Sequence, residues 1–588
     1  MSAAPKSGGT AAAEPNGGFA QPWGDTLSRR RIVFVLISVI LGMLLSALDQ
    51  TVVGTAMPRI IADLNGLQHY AWVATGYLLA SAASMPIWGK LSDAYGRKRF
   101  YILGMTVFLV GSALCGQSQN MSELVAFRAL QGLGAGAMMP ISQAIVGDVF
   151  PPAQRAKFIG VLMSVFGVAT IIGPLLGGWI TDNFSWRWVF YVNLPVGIVA
   201  IAFCLVALPG HVTLRKHRVD YEGSALLVTA AVPLLLGFSW AGTTFAWMSW
   251  QVIGAWVFSA VAWVAFVLWE FRAREPVINP HLFTNRIFTV SSIASTLQSA
   301  AMFGAIMFLP LFVQGVMGKT ATNSGIILMP LMIGAILASI GGGQLLARIG
   351  RYKILVCCGF VAVTVGAFLM SRMHVDVTWA TLARNMVIMG LGLGIAMSAF
   401  TVIVQNQYPS HRLGEVTAGL QFFRMLGSTI GMAVFGTLLN NKFNSEMTAN
   451  MPAPIAKAMA AGGKKFDSPQ VLLSEQAQQS LRAGLDKLGA MIGTPGDQLF
   501  TSFMDAVRLS LEQAITSLFL MAAILGVIGF VVVLFLREEP LRRTHMTFAD
   551  EELMASESVA YGTGGETPAG AAGEIEAPAP DDEAVPET

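Results

Sequence analysis

Charged residues are scarce in this sequence. Lys, Arg, Asp and Glu together make up 12% of the 588 residues, whereas apolar residues make up 54% and the mean hydropathy is +0.61. A soluble domain carries about 25% charged residues. Half that fraction over so long a chain excludes a soluble globular protein and indicates a protein that crosses a membrane many times.

Cysteine is rarer still. The four cysteines, Cys115, Cys204, Cys357 and Cys358, all fall inside long apolar stretches. This placement excludes a disulfide framework, and the spacing does not match that of metal ligands. We therefore expect these cysteines to be small packing residues, and we expect no metal site.

Several chemical motifs are missing altogether. No G-x-x-x-x-G-K-[ST] phosphate loop occurs, so ATP is not the expected energy source. The sequence also has no nucleophile elbow and no metal-ligand cluster, which argues against an enzyme, and no cofactor is expected. The net charge of +3 gives no reason to expect a nucleic-acid partner.

Long apolar runs are what the sequence does have. We count fourteen, each long enough to cross a hydrocarbon core about 30 Å thick. They lie at about 32–57, 70–88, 100–118, 122–146, 157–181, 186–208, 223–242, 250–270, 287–315, 322–346, 354–372, 379–407, 416–440 and 512–536. The first run is too long for a cleaved signal peptide and lacks a small-residue cleavage site.

The basic residues predict how these spans are oriented. With fourteen spans, both termini lie on one side, and the loops on that side carry 22 Lys and Arg residues. The opposite short loops carry four, which are Arg59, Arg187, Lys319 and Arg372. The positive-inside rule therefore places both termini in the cytoplasm and the protein in the plasma or inner membrane.

Three segments differ in composition from the spans. Residues 1–28 and 537–588 are rich in Gly, Ala, Pro or Glu and are expected to be disordered cytoplasmic tails. The outer segment at about 441–511 contains the helix-like stretch VLLSEQAQQSLRAGLDKLGAMIG. It is either a flexible loop or a small extracytoplasmic cap, and a partner outside the cell could bind there.

The sequence contains an internal repeat. GKLSDAYGRKR at 89–99 returns as GQLLARIGRYK at 343–353, displaced by 254 residues, and GLGAG at 132–136 returns as GLGLG at 390–394, displaced by 258. Two similar displacements in consecutive elements predict an all-α membrane protein with six-helix halves at 32–208 and 287–536. A linker at 209–286 contributes two further spans, which gives fourteen transmembrane helices.

A set of motifs in the first half resembles a known family. In order along spans 1 to 6 they are LDQTVVGTAMP, GKLSDAYGRKR, RALQGLGAG, GVATIIGPLLGGW and WRWVFYVNLPVG. Together they resemble the fourteen-spanner drug:proton antiporters of the major facilitator superfamily, the EmrB/QacA type. The resemblance covers about residues 30–540 and implies the fold of that superfamily.

The resemblance also implies a function. It predicts a proton-coupled secondary exporter, or antiporter, of amphipathic cationic drugs or toxic compounds, with the substrate, protons and the lipid bilayer as partners and a monomer as the working unit. Two alternatives stay open. The same fold can export an endogenous lipid, siderophore or antibiotic, and a membrane scaffold or sensor would transport nothing.

GKLSDAYGRKR joins spans 2 and 3 on the cytoplasmic side. Gly89 and Gly96 permit tight turns, and Asp93 is placed to face a helix N-terminus in the other half. The resemblance implies that Arg97 pairs with Asp148 at the end of span 4, which would form a latch favouring the outward-facing state. A merely basic loop would explain Lys98 and Arg99 but not those two glycines or Asp93. The repeat has Ala347 in place of Asp93, so a second latch is not expected.

GVATIIGPLLGGW on span 5 resembles the glycine-proline motif of exporters. Its residues are Gly167, Gly173, Pro174, Gly177 and Gly178. Gly173 and Gly177 form a small-xxx-small face that lets helices approach closely, and Pro174 frees a backbone carbonyl. Close packing alone is the alternative interpretation.

Asp49 is the acidic residue that lies clearly inside a span. An ionised carboxylate among lipid tails costs at least about 2.5 kcal/mol, so Asp49 must face a cavity or a partner. It lies about 26 Å along span 1, and Arg128 lies about 9 Å in from the outer end of span 4. The two are therefore expected at a similar depth, as a pair that couples proton and substrate movement. A fixed salt bridge ordering spans 1 and 4 is the alternative.

Arg424 on span 13 is a second charge inside the apolar region. No acidic residue lies at its depth in the neighbouring spans, and the residues that follow it on span 13 include Leu426, Gly427 and Ser428 instead of an acid. It is therefore a candidate buried charge of the second half, and a second cation site is not expected.

Overall fold

The computed structural model describes residues 27–64, 70–210, 220–242, 244–317, 324–456, 475–492 and 495–542. Fourteen long helices follow one another through these residues. They are α1 Arg29–Leu64, α2 Tyr70–Tyr95, α3 Arg97–Gln117, α4 Met121–Val149, α5 Pro152–Asn183, α6 Trp188–Ala207, α7 Tyr221–Trp240, α8 Trp250–Glu270, α9 Arg286–Leu311, α10 Ser324–Ile349, α11 Lys353–Ser371, α12 Trp379–Gln405, α13 Leu413–Asn450 and α14 Gly496–Leu534. The prediction of an all-α membrane fold is confirmed. The tails at 1–26 and 543–588 lie outside the described residues.

Among the described residues, 13 helices are long and apolar enough to cross a membrane. The fourteenth predicted span falls on α2, whose 26 residues also exceed the length needed. Its hydropathy is lowered by polar residues such as Ser81 and Ser84, which are buried. Because α2 packs against α4 and α13, its polar side chains face protein.

The helix contacts repeat between the two halves. In the first half α1 packs on α5 and α6, while α4 packs on α2 and α3. In the second half α9 packs on α13 and α14, while α12 packs on α10 and α11. The halves then meet through α2 against α13 and through α5 against α10. These two seams are equivalent, because each pairs the second helix of one half with the fifth helix of the other.

Glycine residues allow the helices to pack closely at both seams. A Cβ on Gly89 of α2 would collide with the backbone of Gly414 in α13, and a Cβ on Gly343 of α10 would collide with the backbone of Ala156 in α5. Gly343 follows Gly89 by 254 residues and Gly414 follows Ala156 by 258, the displacements of the sequence repeat. The repeat therefore preserves the contacts between the halves.

The inserted helices lie at one of these seams. The helices α7 and α8 pack on each other, and α7 also contacts α2 and α13. Side chains of Asp220 and Ser249 cap the N-termini of α7 and α8 by accepting bonds from Gly223 N and Val252 N. The pair thus adds to the outside of the bundle without entering either six-helix half.

On the side away from the chain termini, α13 and α14 extend beyond the bundle. They contain 38 and 39 residues, so each is close to 60 Å long against a hydrocarbon core of about 30 Å. A further helix, Glu475–Ile492, packs on α14. Leu485 from this helix is buried with Met447, Ile455, Leu499 and Phe503 in one apolar cluster. The described part of the outer segment is therefore an ordered helical cap, although 457–474 and 493–494 lie outside the described residues.

On the terminal side, where α1 begins and α14 ends, residues 537–542 form a terminal strap. Arg542 accepts a hydrogen bond from Ala153 N at 3.1 Å and donates its own backbone N–H to Asn406 Oδ1 at 3.0 Å. Leu541 is buried. The strap therefore touches both halves, and the prediction of a disordered tail from Arg537 onward is wrong for residues 537–542.

Tyr352 anchors the other end of the strap. Its hydroxyl donates to Arg537 O at 2.7 Å and accepts from Glu539 N at 2.8 Å. Burial raises the pKa of Tyr352 to about 12, so the hydroxyl keeps the proton that it donates.

Gly343→Val tests the seam between α5 and α10. The new side chain would meet the Ala156 backbone, so we expect a loss of about 1–3 kcal/mol in stability and a lower apparent Tm in detergent. Gly341→Val is the matched control, because a Cβ on Gly341 meets nothing within 4 Å. Equal Tm values for the two variants would contradict this packing.

Candidate functional site

Asp49 lies in a closed polar cluster in the first half. Its Oδ2 accepts from Arg128 Nη1 at 2.6 Å, and its Oδ1 accepts from Gln131 Nε2 and Asn193 Nδ2, both at 2.8 Å. Asp49 is 1% exposed and Arg128 3%. The structure thus brings together α1, α4 and α6 around one Asp–Arg pair whose carboxylate group has three hydrogen-bond donors.

Second contacts hold those donors in place. Gln131 Oε1 accepts from Arg128 Nη1 at 2.8 Å, and Asn193 Nδ2 also reaches Ser112 Oγ at 3.0 Å. The Arg128 guanidinium lies 4.2 Å from the centre of the Tyr77 ring. Each orientation is therefore fixed by two neighbours, which satisfies the requirement that a buried charge be paired and fully hydrogen-bonded.

Tyr77 separates this cluster from a large cavity. Its ring covers Arg128, and its hydroxyl lies 3.4 Å from Ser46 Oγ, which lines the cavity. Asp49 itself does not line it. A substrate in the cavity of this conformation therefore does not contact the carboxylate, so coupling between proton and substrate cannot act through direct contact in this state.

The cavity lies between the two halves. It has two adjoining lobes of about 190 and 420 Å³, lined by helices α1, α2, α4 and α5 of the first half and α9, α10, α12 and α13 of the second. Methionine is the commonest lining residue, and Phe166 and Phe303 contribute aromatic surface to both lobes. Unbranched thioether side chains adapt to different shapes, so this wall suits varied apolar molecules.

On the terminal side the halves are in close contact. Asp93 accepts from Gly414 N at 3.0 Å and from Glu415 N at 2.6 Å, the first turn of α13. Arg97 contacts Asp93 and donates to Asp148 Oδ2 at 2.8 Å. All three charged side chains are buried or nearly so. The carboxylate of one half thus caps the positive end of a helix in the other half.

The two motif glycines serve this contact differently. Gly96 has φ = 103°, a left-handed value that lets α3 begin immediately after α2. Gly89 has no Cβ, so the backbone of α13 can approach α2 closely at this point, as described above. Arg97 also donates to Ser410 O at 3.1 Å, which adds another bond between the halves.

Arg155 forms a further bridge that the sequence analysis missed. It donates to Gly147 O at 2.7 Å and Phe150 O at 3.1 Å in its own half, and to Gln405 O at 3.3 Å in the other. In the sequence it resembles any other topology-setting loop arginine. Its burial, at 3% exposed, is what distinguishes it.

The glycines of span 5 face three different surroundings. Gly173 and Gly177 lie against Thr51 and Thr55 of α1, close to Asp49 in sequence, and Thr51 Oγ1 donates to Ala169 O at 3.1 Å. Gly167 instead faces Ile336 of α10. A Cβ on Gly178 would meet nothing within 4 Å, and Pro174 lines the cavity.

Gln131 and Asn193 are the donors that the pairing argument did not assign to Asp49. Gln131 follows Arg128 by three residues and therefore shares its helix face, a spacing that could have identified it. Asn193 stands among the aromatic residues of WRWVFYVNLPVG, and its position in the sequence does not relate it to Asp49. Tyr77 carried no signal in the sequence.

Arg424 of α13 lines the cavity and is 7% exposed. Its Nη1 donates to Gln421 Oε1 at 3.2 Å, and its Nη2 donates to Met397 O at 3.3 Å. Within the described residues, its Nε has no hydrogen-bond partner. The second half thus contributes a cation to the cavity.

Comparisons with known proteins agree with this architecture. The model of the Major Facilitator Superfamily matches residues 39–432. The chain is 37% identical over 519 residues to the multidrug transporter protein MdtP of Bacillus subtilis, covering 88% of this chain and 95% of that protein. It is 35% identical over 511 residues to multidrug resistance protein 3 of the same organism, covering 87% and 96%.

A solved structure shows the same fold. The crystal structure of the human organic anion transporter MFSD10 (TETRAN) superimposes with a TM-score of 0.54 over 85% of this chain and 99% of that one. At 14% identity the likeness concerns the fold alone. The family match and the relatives also identify a transporter, not an enzyme. This chain is a multi-pass membrane transporter of the Major Facilitator Superfamily.

Proposed function

We propose that this transporter is a proton-coupled exporter of amphipathic organic compounds that works by alternating access. The observation that carries the proposal is the buried Asp49–Arg128 pair, 2.6 Å apart, beside an apolar cavity between two halves. The names of the B. subtilis relatives and the exporter-like motif on span 5 support export of drugs. The basic loops support a cell membrane location with both termini in the cytoplasm.

The contacts on the terminal side support an outward-facing state. Asp93, Arg97 and Asp148 act as a latch that holds α2, α3 and α4 against α13, and Arg155 reinforces it. The cavity extends the other way, to Thr55 of α1 and Leu328 of α10. Substrate taken up from the cytoplasm would enter after the latch opens and leave after it closes.

Asp49 is the proposed proton carrier. In this state three donors bind its two oxygens, and the Tyr77 ring lies over Arg128, its ionic partner. A carboxylate that loses an arginine contact inside a protein binds a proton more tightly, because its charge is no longer compensated. Rocking that moves α1 relative to α4 would therefore load or release one proton per cycle.

The available energy is sufficient for export. One proton crossing 100 mV releases about 2.3 kcal/mol, and one pH unit adds about 1.4 kcal/mol. Because each 1.4 kcal/mol corresponds to a tenfold ratio, the sum supports a substrate gradient of several hundredfold.

The cavity supports the amphipathic character of the substrate more than a positive charge on it. Its lining residues include Arg424 but neither Asp nor Glu within the described part of the chain. The cationic substrates expected from the family resemblance would therefore find no counter-ion in this conformation.

Asp49→Asn tests the carrier. The amide keeps the shape of the side chain but cannot bind and release the proton, so we expect substrate-driven proton movement in proteoliposomes to disappear. Asp63→Asn is the matched control on α1, because Asp63 accepts from Trp186 Nε1 at 2.8 Å outside the cluster. Undiminished proton exchange by Asp49→Asn, at equal protein incorporation, would refute the assignment.

Asp93→Asn tests the latch. Losing the charge at the N-terminus of α13 removes charge-assisted bonds of about 1.5–3 kcal/mol, so the open population should rise about tenfold. The reporter is Gln143→Cys in a background without the native cysteines, because Gln143 is buried beside Gln405 and Gln421. Its labelling from the cytoplasmic face should accelerate.

Lys98→Gln is the control for this measurement, since Lys98 lies in the same motif and donates to Leu205 O within the first half. Equal labelling rates for the two variants would mean that Asp93 does not restrain opening.

A further inference from the structure

Arg424 lacks the acidic partner that Arg97 and Arg128 have. Arg155 also forms no ion pair among the described residues, but it donates to three backbone carbonyls and does not line the cavity. Arg128 pairs with Asp49 at 2.6 Å, and Arg97 pairs with Asp148 at 2.8 Å. Among the described residues, Arg424 forms no ion pair, and neither lobe of the cavity is lined by a carboxylate. Its two hydrogen bonds go to neutral oxygens, at 3.2 and 3.3 Å.

An unpaired charge in this position needs an explanation. Removing a charge from water has a penalty of several kcal/mol, which a carboxylate partner normally offsets. Arg424 is 7% exposed, and its Nε has no acceptor within the described chain. The Nε atom is buried, but Nη1 and Nη2 each have two N–H groups and each makes one hydrogen bond, so the guanidinium retains N–H donors for a group in the cavity.

Neighbouring amides orient Arg424. Gln421 accepts from Arg424 Nη1 through Oε1 and donates from Nε2 to Gln143 Oε1 at 2.8 Å. Gln143 comes from α4, so this chain of amides crosses between the halves. Because the Gln421 amide is held at both ends, it presents its oxygen to the guanidinium and fixes that group at the cavity wall.

The rest of the wall is apolar and adaptable. Met43, Met85, Met139, Met302, Met397 and Met425 line the same lobe as Arg424. A flat hydrocarbon body can pack against these thioethers, and an acidic group on that body can then reach the guanidinium.

We propose that Arg424 binds the acidic group of the substrate, so that the preferred compounds have an apolar body and a carboxylate or a similar anion. This inference rests on the proposed transport function and specifies its substrate class. It also separates two tasks: the first half carries the proton on Asp49, and the second half holds the substrate anion on Arg424.

Rhodamine B and its ethyl ester provide a matched test, because they share one ring system and differ in a free carboxylate. Binding of each dye to the purified full-length protein in detergent is measured by fluorescence polarisation. A charge-assisted bond contributes about 1.5–3 kcal/mol, so the wild type should bind the acid about tenfold more tightly or better.

Arg424→Met should remove the preference while retaining binding of the ester, because methionine matches the surrounding wall. Arg424→Lys keeps the charge and should retain a preference for the acid. Ser428→Ala is the matched control, since Ser428 lines the same lobe and donates to Met425 O. This control should leave the preference at its wild-type value.

Comparing the binding of the acid and the ester to the wild-type protein tests the inference even if a variant fails to fold. Equal or tighter binding of the ester, no binding of either dye, or a preference that survives in Arg424→Met would each overturn the inference. Transport of both dyes in proteoliposomes with an imposed pH gradient separates it from the proposed function. Selective binding without proton-driven transport would refute that function alone, whereas transport of the ester but not the acid would refute the inference alone.

Discussion

A charge removed from water must find its compensation inside the protein, and this constraint organises the bundle. Asp49 satisfies it with three donors from two other helices, and these hydrogen bonds connect α1, α4 and α6 at the same depth in the bundle. Asp93 satisfies it with the exposed N–H groups at the start of α13. In both places the pairing determines which helices meet. Arg424 has no carboxylate partner among the described residues and lies in the cavity wall, where we propose that an anionic substrate pairs with it.

The two halves share a scaffold but not a set of charges. Gly96 and Gly350, displaced by 254 residues, both have left-handed backbones, with φ = 103° and 70°. The acids of the first half have no acidic counterparts in the second, where Ala347 corresponds to Asp93 and Asn406 to Asp148. The repeat therefore keeps glycines on which close helix packing depends, whereas the charged groups of the Asp93–Arg97–Asp148 cluster do not recur at the equivalent positions.

Much of this architecture was predictable because hydropathy, basic loops and repeat displacement are properties of the chain itself. The similar depth of Asp49 and Arg128 also followed from counting residues along two helices. The shielding of Asp49 by Tyr77, the bridging role of Arg155 and the exposure of Arg424 to the cavity did not follow. Each depends on how a helix is rotated against neighbours that are distant in the sequence. The hydrophobic pattern of a helix says little about that rotation here, because the lipid-facing surface of the bundle is as apolar as its interior.

The terminal strap has a consequence for the second half. Asn406 occupies the position equivalent to Asp148, yet its oxygen receives the backbone N–H of Arg542 instead of an arginine side chain. The terminal strap thus occupies, in the second half, the place that Arg97 takes beside Asp148 in the first half. Since Arg542 also accepts a hydrogen bond from Ala153 N of the first half, separating the halves on this side would break backbone bonds of the strap, so the sequence of residues 537–542 bears on how easily the halves part.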